Sequence, residues 1–212
     1  MTEDIVFWDV DTQKDFMGIK GALYIEDAIY IRPNLDDLTW HAKDSNIRIL
    51  GSVDRHFADD DELAIFPKHC MDGTTGQEKI PETLLDHHVF VPSKIGMYGR
   101  YEELSNNEIQ IYERSYRQII FEKQTTNVFD NRNVIKFLDK IRVKTAIVYG
   151  VATEFCVKDA VLGLRKLGIE VYLVKDAIKE ISDGNGLLAI ATMVGKGVTL
   201  IDTVEVINGW YP

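Results

Sequence analysis

VKTAIVYGVATEFCVKDAVLGLRKLGIEVYLVKDA (Val143–Ala177) decides the fold class. Its first part, KTAIVYG (Lys144–Gly150), is short, apolar and rich in β-formers, which predicts a strand. TEFCVKDAVLGLRKLG predicts a helix that stops at Gly168, because glycine readily adopts the left-handed turn that ends a helix. IEVYLVKDA (Ile169–Ala177) predicts a second strand. A helix of this length between two strands makes a crossover that leaves them parallel.

The same alternation runs outward in both directions. DIVFWDV (Asp4–Val10), IRILGSV (Ile47–Val53), HVFVPS (His88–Ser93), RQIIFEK (Arg117–Lys123) and VTLIDT (Val198–Thr203) predict strands. Helices are predicted from near Pro33, within NRNVIKFLDKIR (Asn131–Arg142), and within GNGLLAIATMVGKG (Gly184–Gly197). The expectation is an α/β protein with three α-β-α layers. A mostly parallel, Rossmann-like central sheet of about six strands should carry helices on both faces. One domain should span residues 1–212. In such sheets functional residues gather beyond the carboxyl ends of the strands, here just after Val10, Val53, Glu122 and Gly150. No G-x-G-x-x-G follows a strand, and Asp183-Gly184-Asn185-Gly186 reads as a turn before a helix, so a dinucleotide site is not expected. The segment Lys94–Gln118 is polar and aromatic, and reads as an insertion or an oligomer contact.

Composition narrows the function classes. Twenty-four basic against thirty-four acidic residues give a net charge of −10, without a basic cluster, which argues against nucleic acid or an anionic membrane as partner. The opening MTEDIVFWDVD has neither the basic flank nor the apolar length of a signal peptide, and no stretch is apolar for long enough to span a bilayer. A cytoplasmic location with reduced cysteines is therefore expected.

Cys156 has two readings: a small apolar core residue, or a nucleophile where a strand turns into a helix. With Thr153 as N-cap, Cys156 falls in the first helical turn. Free N–H groups and the helix dipole there favour a thiolate and could receive an oxyanion. A nucleophile also needs a proton acceptor and a cation. Asp11 and Lys123 stand at two other predicted strand ends, although a turn carboxylate and a solvated lysine would look the same. In GSVDRHFADDDELAIFPKHCMDGTTGQ (Gly51–Gln77), Asp54 and His56 are two apart and point to one side, with Glu62 and His69 following. Mixed carboxylate and imidazole donors suit a divalent metal, although the acidic run Asp59–Glu62 could simply be solvated. Cys70 is a weaker candidate ligand, and His87 and His88 read as strand-entry residues.

Taken together, DTQKDF, VDRH, FPKHCMDGTTGQ, FEKQTTNVF and YGVATEFCVKDA resemble the isochorismatase-like cysteine hydrolases, and within them the nicotinamidases. The resemblance runs in order along nearly the whole chain. It implies Asp11 rather than Asp9, Lys123 and Cys156 as the catalytic set, and a cis peptide between Val151 and Ala152. It further implies an oxyanion hole from the N–H groups of Ala152 and Cys156. It implies one divalent ion, zinc first with iron or manganese as alternatives, on Asp54, His56, Glu62 and His69. The common metal set has a third histidine shortly after D-x-H, where this chain is acidic. Glu62 stands seven residues before His69, like the glutamate some nicotinamidases use, and KQTTNVF is shorter than the matching loop of many nicotinamidases. Phe16 and Tyr98 are candidates to line the ring pocket. The implied reaction is hydrolysis of a small amide, nicotinamide, in NAD salvage by a homo-oligomeric enzyme. A metal-free amide or carbamoyl hydrolase of the same superfamily and a non-catalytic member of the fold remain the alternatives.

Overall fold

In the computed structural model, which describes residues 4–95, 100, 101 and 103–210, seven strands form one sheet. In chain order they are β1 (Ile5–Val10), β2 (Arg48–Asp54), β3 (His88–Val91), β6 (Gln118–Lys123), β7 (Thr145–Val151), β8 (Glu170–Lys179) and β9 (Thr199–Ile201). Between β3 and β6 lie two strands of two residues each, β4 (Lys94–Ile95) and β5 (Arg100–Tyr101), paired antiparallel. The sheet order is β3-β6-β2-β1-β7-β8-β9, and every pairing in it is parallel. Seven strands replace the expected six or so, and the sheet is parallel throughout. The helices are α1 (Lys14–Met17), α2 (Arg32–Asp44), α3 (Asn106–Ser115), α4 (Asn133–Ile141), α5 (Lys158–Lys166), α6 (Asp183–Val194) and α7 (Thr203–Ile207). None of the described helices is long and apolar enough to cross a membrane.

Both faces of the sheet are covered, so the central strands are apolar on consecutive residues instead of alternating. Val6, Trp8, Val10, Ala146 and Val148 enter one core with α4, α5 and α6, while Phe7, Ile147, Tyr149 and Val151 enter the other with α2 and α7. Each side chain of β1 and β7 is thus assigned to a core by its parity.

Two elements differ from expectation. Asn106–Ser115 is a helix inside the polar segment, begun by a reciprocal capping box in which Ser105 and Glu108 bond each other's backbone. That S-x-x-E signal stands in the sequence, but few apolar residues follow it to mark a buried stripe. The last strand also ends at Ile201 instead of Thr203, because Asp202 and Glu205 form a second capping box that starts α7.

β1 and β7 approach unusually closely at Gly150. Its φ is +119°, and a Cβ there would lie 2.1 Å from the Val10 carbonyl oxygen. Gly150→Ala is therefore expected to destabilise the protein by roughly 2–4 kcal/mol, read as a lower urea midpoint at unchanged m-value.

Candidate active site

Four neighbouring strands, β6-β2-β1-β7, end on one side of the sheet and each delivers a functional group there. Asp11 follows β1, with a positive φ of 49°. Asp54 ends β2, Lys123 ends β6, and the two are register partners. Cys156 sits just beyond β7. All four are buried. Lys123 Nζ lies 2.9 Å from Asp11 Oδ2 and 3.4 Å from Cys156 Sγ, and it also hydrogen-bonds Asp54 Oδ1. Ser52 Oγ donates to Asp11 Oδ1 at 2.7 Å. One ammonium thus ties together two carboxylates and a thiol.

The turn carrying Cys156 differs from the sequence expectation. Ala152, not Thr153, is the N-cap, and residues Thr153–Val157 form a π-turn before α5 begins. Thr153 Oγ1 is buried with no hydrogen-bond partner, so it does not cap. The Val151–Ala152 peptide is cis. Phe155 and Val157 both donate to the Ala152 carbonyl, whereas the Ala152 N–H makes no hydrogen bond within the described residues. Glu154 accepts from the N–H groups of Ile181 and Ser182, tying this turn to the segment before α6.

Electrostatics also modify the expected thiolate. Burial pushes the Cys156 thiol well above its ordinary range; Lys123 pulls the other way, but Asp11 and Asp54 add to the rise. The resting sulfur is therefore a thiol. Burial likewise raises Asp11, against the attraction of Lys123, and Asp54 adds to the effect. Burial alone would lower Lys123, but Asp11, Asp54 and Cys156 outweigh it and hold the ammonium well above its usual range. The combination is a carboxylate with a raised affinity for a proton beside a protonated nucleophile, with a cation between them.

The rest of DTQKDF fixes this geometry. Gln13 exchanges hydrogen bonds with the Asp54 backbone, 2.7 Å in each direction, which locks the first turn to the end of β2. Thr12 donates to Asp9, and Lys79 bridges both at 2.8 Å and 2.7 Å. Asp9 thus belongs to a buried structural pair, distinct from the cluster around Asp11. Asp15 accepts from the Cys70 N–H, pinning the loop that carries His69.

Asp54, His56, Glu62 and His69 converge, each offering a donor atom within 4.8 Å of the others. His69 Nε2 and His56 Nε2 stand 3.6 and 3.8 Å from Asp54 Oδ2, and 3.9 and 4.0 Å from Glu62 Oε1. These spacings exceed hydrogen-bond length, and Asp54 Oδ2 and His56 Nε2 are buried without a hydrogen-bond partner. Each imidazole is steered from behind, His69 Nδ1 by the Pro67 carbonyl at 2.7 Å and His56 Nδ1 by Asp60 at 3.3 Å. Inward donors left unsatisfied, with outward nitrogens held, are what a divalent ion requires. Cys70 lies outside the set, its thiol turned to the Gly76 carbonyl. Asp60→Asn keeps an oxygen for the Phe57 N–H but removes the charged acceptor behind His56. It is expected to weaken metal binding roughly 10–100-fold by calorimetric titration.

A narrow pocket joins the two clusters. Cys156, Asp54, Glu62 and His69 all open on it, between the rings of Phe16, Phe66 and Phe155. Phe66 packs edge-on against Phe155, centroids 5.3 Å apart, and Phe16 lies 5.3 Å from the His69 ring. Of the residues expected from sequence to line it, Phe16 does so, and Tyr98 lies outside the described residues. Phe66, Phe155, Thr126 and Ile181 were not anticipated. Phe66 and Phe155 sit three residues before His69 and one before Cys156, and that adjacency was the available signal.

Comparison with known proteins agrees with this architecture. An isochorismatase domain model matches residues 101–205. A nicotinamidase/pyrazinamidase from Bacillus subtilis superposes with a TM-score of 0.74 at 19% identity, covering 95% of this chain and 100% of its own. A pyrazinamidase from Pyrococcus horikoshii, determined in complex with zinc, gives 0.72 at 24%, covering 94% and 99%. An N-carbamoylsarcosine amidase from Thermoplasma acidophilum gives 0.71 at 19%, covering 96% and 97%. No curated protein matches the chain by sequence. At these identities the structural likeness speaks for the fold. The family model thus matches residues 101–205, from β5 into α7, and the chain as a whole has the fold of the isochorismatase-like hydrolases.

Proposed function

We propose that the protein hydrolyses nicotinamide to nicotinate and ammonia, as a cytoplasmic step of NAD salvage. The observation that carries this reading is the shared pocket. A nucleophilic thiol and three of the four metal-set residues, Asp54, Glu62 and His69, open on one aromatic-walled cavity. A planar ring bearing a carboxamide on one side and a nitrogen on the other fits both ends. The nicotinamidase and pyrazinamidase among the structural neighbours support the same choice.

In the mechanism, Asp11 takes the Cys156 proton as sulfur attacks the amide carbonyl carbon. Lys123 holds the carboxylate and the sulfur at fixed distance throughout, which lowers the entropic cost of the encounter. The N–H groups of Ala152 and Cys156 receive the oxyanion. Asp11 returns its proton to the amide nitrogen, the C–N bond breaks, and ammonia leaves a thioester. Asp11 then deprotonates a water that attacks the thioester, releasing the carboxylate and restoring the thiol. Asp54, His56, Glu62 and His69 would hold a divalent ion, zinc being our first choice, and when bound it would supply a Lewis-acidic contact for the ring nitrogen. Phe16, Phe66 and Phe155 exclude water and hold the ring plane.

Ammonia release tests this, measured with nicotinamide and with an N-carbamoyl amino acid after loading with zinc, iron or manganese. Release from nicotinamide is expected. Release from the carbamoyl compound alone would replace the substrate class, and release from neither under any metal would refute the reading.

A further inference from the structure

We propose that the outward face of α6 pairs with the same face of a second copy of this chain, antiparallel about a two-fold axis. A helix apolar on all sides is normally buried. In α6, Gly186, Ala189 and Met193 face the core, as its sequence requires. The opposite face carries Leu187 at 71% exposure, Leu188 at 68% and Val194 at 45%, with Ala191 exposed between them. Gly184, Leu187, Leu188, Ala191 and Val194 follow the spacing of a helix–helix seam, and none of the described residues covers them. Gly184 adds a second observation. A side chain there would meet nothing within 4 Å, so this fold has no steric need of a glycine that weakens its helix. A closely packed neighbouring helix supplies that need.

The charges select the occupant. Residues 184–195 carry none, although 27% of the chain is charged and its net charge is −10. Asp183 stands at one end of the uncharged stripe and Lys196 just beyond the other. In an antiparallel pair each Asp183 lies beside the Lys196 of the other copy, and the helix dipoles oppose favourably. A parallel pair sets like against like. The stripe is therefore self-complementary, the condition for a closed two-fold interface. The chain leading into α6 also reaches the pocket, since Ile181, two residues before the helix, lines it.

Sedimentation velocity of the full chain at micromolar concentration decides the matter. A mass twice the 24.2 kDa of the chain is expected. Leu187→Glu with Leu188→Glu should weaken the dimer by about 100-fold while leaving far-UV circular dichroism unchanged. Asp183→Lys and Lys196→Asp should each weaken it several-fold, and their combination should restore it. A wild-type monomer at about 100 μM, an undisturbed dimer in the natively folded double-glutamate variant, or a charge-exchanged pair no tighter than its single variants would overturn the proposal. If the double-glutamate variant fails to fold, the charge exchange alone decides.

Discussion

Cys156→Ala is expected to lower kcat for ammonia release by about 10⁴-fold or more, with little change in thermal stability. The side chain is small and only slightly exposed, so alanine leaves at most a minor cavity. Its chemistry has no substitute, because among the described residues no other thiol or hydroxyl lies on Lys123 as Cys156 does at 3.4 Å. Cys70 is held by Asp15 through its backbone N–H, with its thiol turned to the Gly76 carbonyl. The pH profile should show the base as well. Asp11 must be ionised to accept the proton, and burial raises it above the ordinary carboxylate value of 3.8. The rate should therefore fall as pH drops through that raised value, with the acid limb displaced upward from an exposed aspartate. Because the resting sulfur is a thiol, alkylation of Cys156 by iodoacetamide in the absence of substrate should be slow near neutrality and accelerate at high pH. Alkylation faster than that of a free cysteine at neutral pH would contradict this protonation state.

The second large effect is expected at Lys123. Lys123→Met removes the ammonium between Asp11 and Asp54 and leaves two buried carboxylates facing each other. Breaking a buried ion pair from one side costs about 3–5 kcal/mol, and activity should be lost with it. The sign of the pH dependence distinguishes this from a packing defect. In the wild type Asp54 is held low: burial opposes that, but Lys123 and the imidazoles of His56 and His69 prevail. A depressed carboxylate stabilises the fold above its unfolded value and loses that contribution as pH falls through the folded one. Without Lys123, one of the two carboxylates must rise above its unfolded value. The folded variant then binds more protons than the unfolded chain, so its stability increases as pH is lowered. Chelator-treated protein should show the deficit of Lys123→Met at about pH 8 shrinking toward about pH 5, in urea titrations at both pH values. A deficit independent of pH would mean that methionine merely packs badly.

Much of this site was legible because strand ends are legible. Asp11, Asp54, Lys123 and Cys156 each follow a short apolar run, and a parallel sheet brings such positions together whatever the intervening chain does. What stayed hidden depended on side-chain direction. Asp54 read as a metal ligand only, yet Oδ1 belongs to Lys123 while Oδ2 faces His56 and His69. Thr153 looked like a cap by residue type, but the backbone leaves β7 through a cis peptide and a π-turn, and its hydroxyl points into the interior. The thiolate expected from a helix N-terminus gave way to burial, which no local pattern displays. Phe66 and Phe155 lie far apart in sequence, and only the folded loops bring their rings into contact.

In the proposed mechanism Cys156 forms a covalent bond to the acyl carbon of nicotinamide. Metal-loaded enzyme mixed with nicotinamide, quenched in acid within milliseconds and measured as intact protein and as peptides, tests it directly. The account predicts a mass increase of one nicotinoyl group, confined to the peptide containing Cys156 and absent in Cys156→Ala. Steady ammonia release from Cys156→Ala, or acylation found on any other residue, would contradict it.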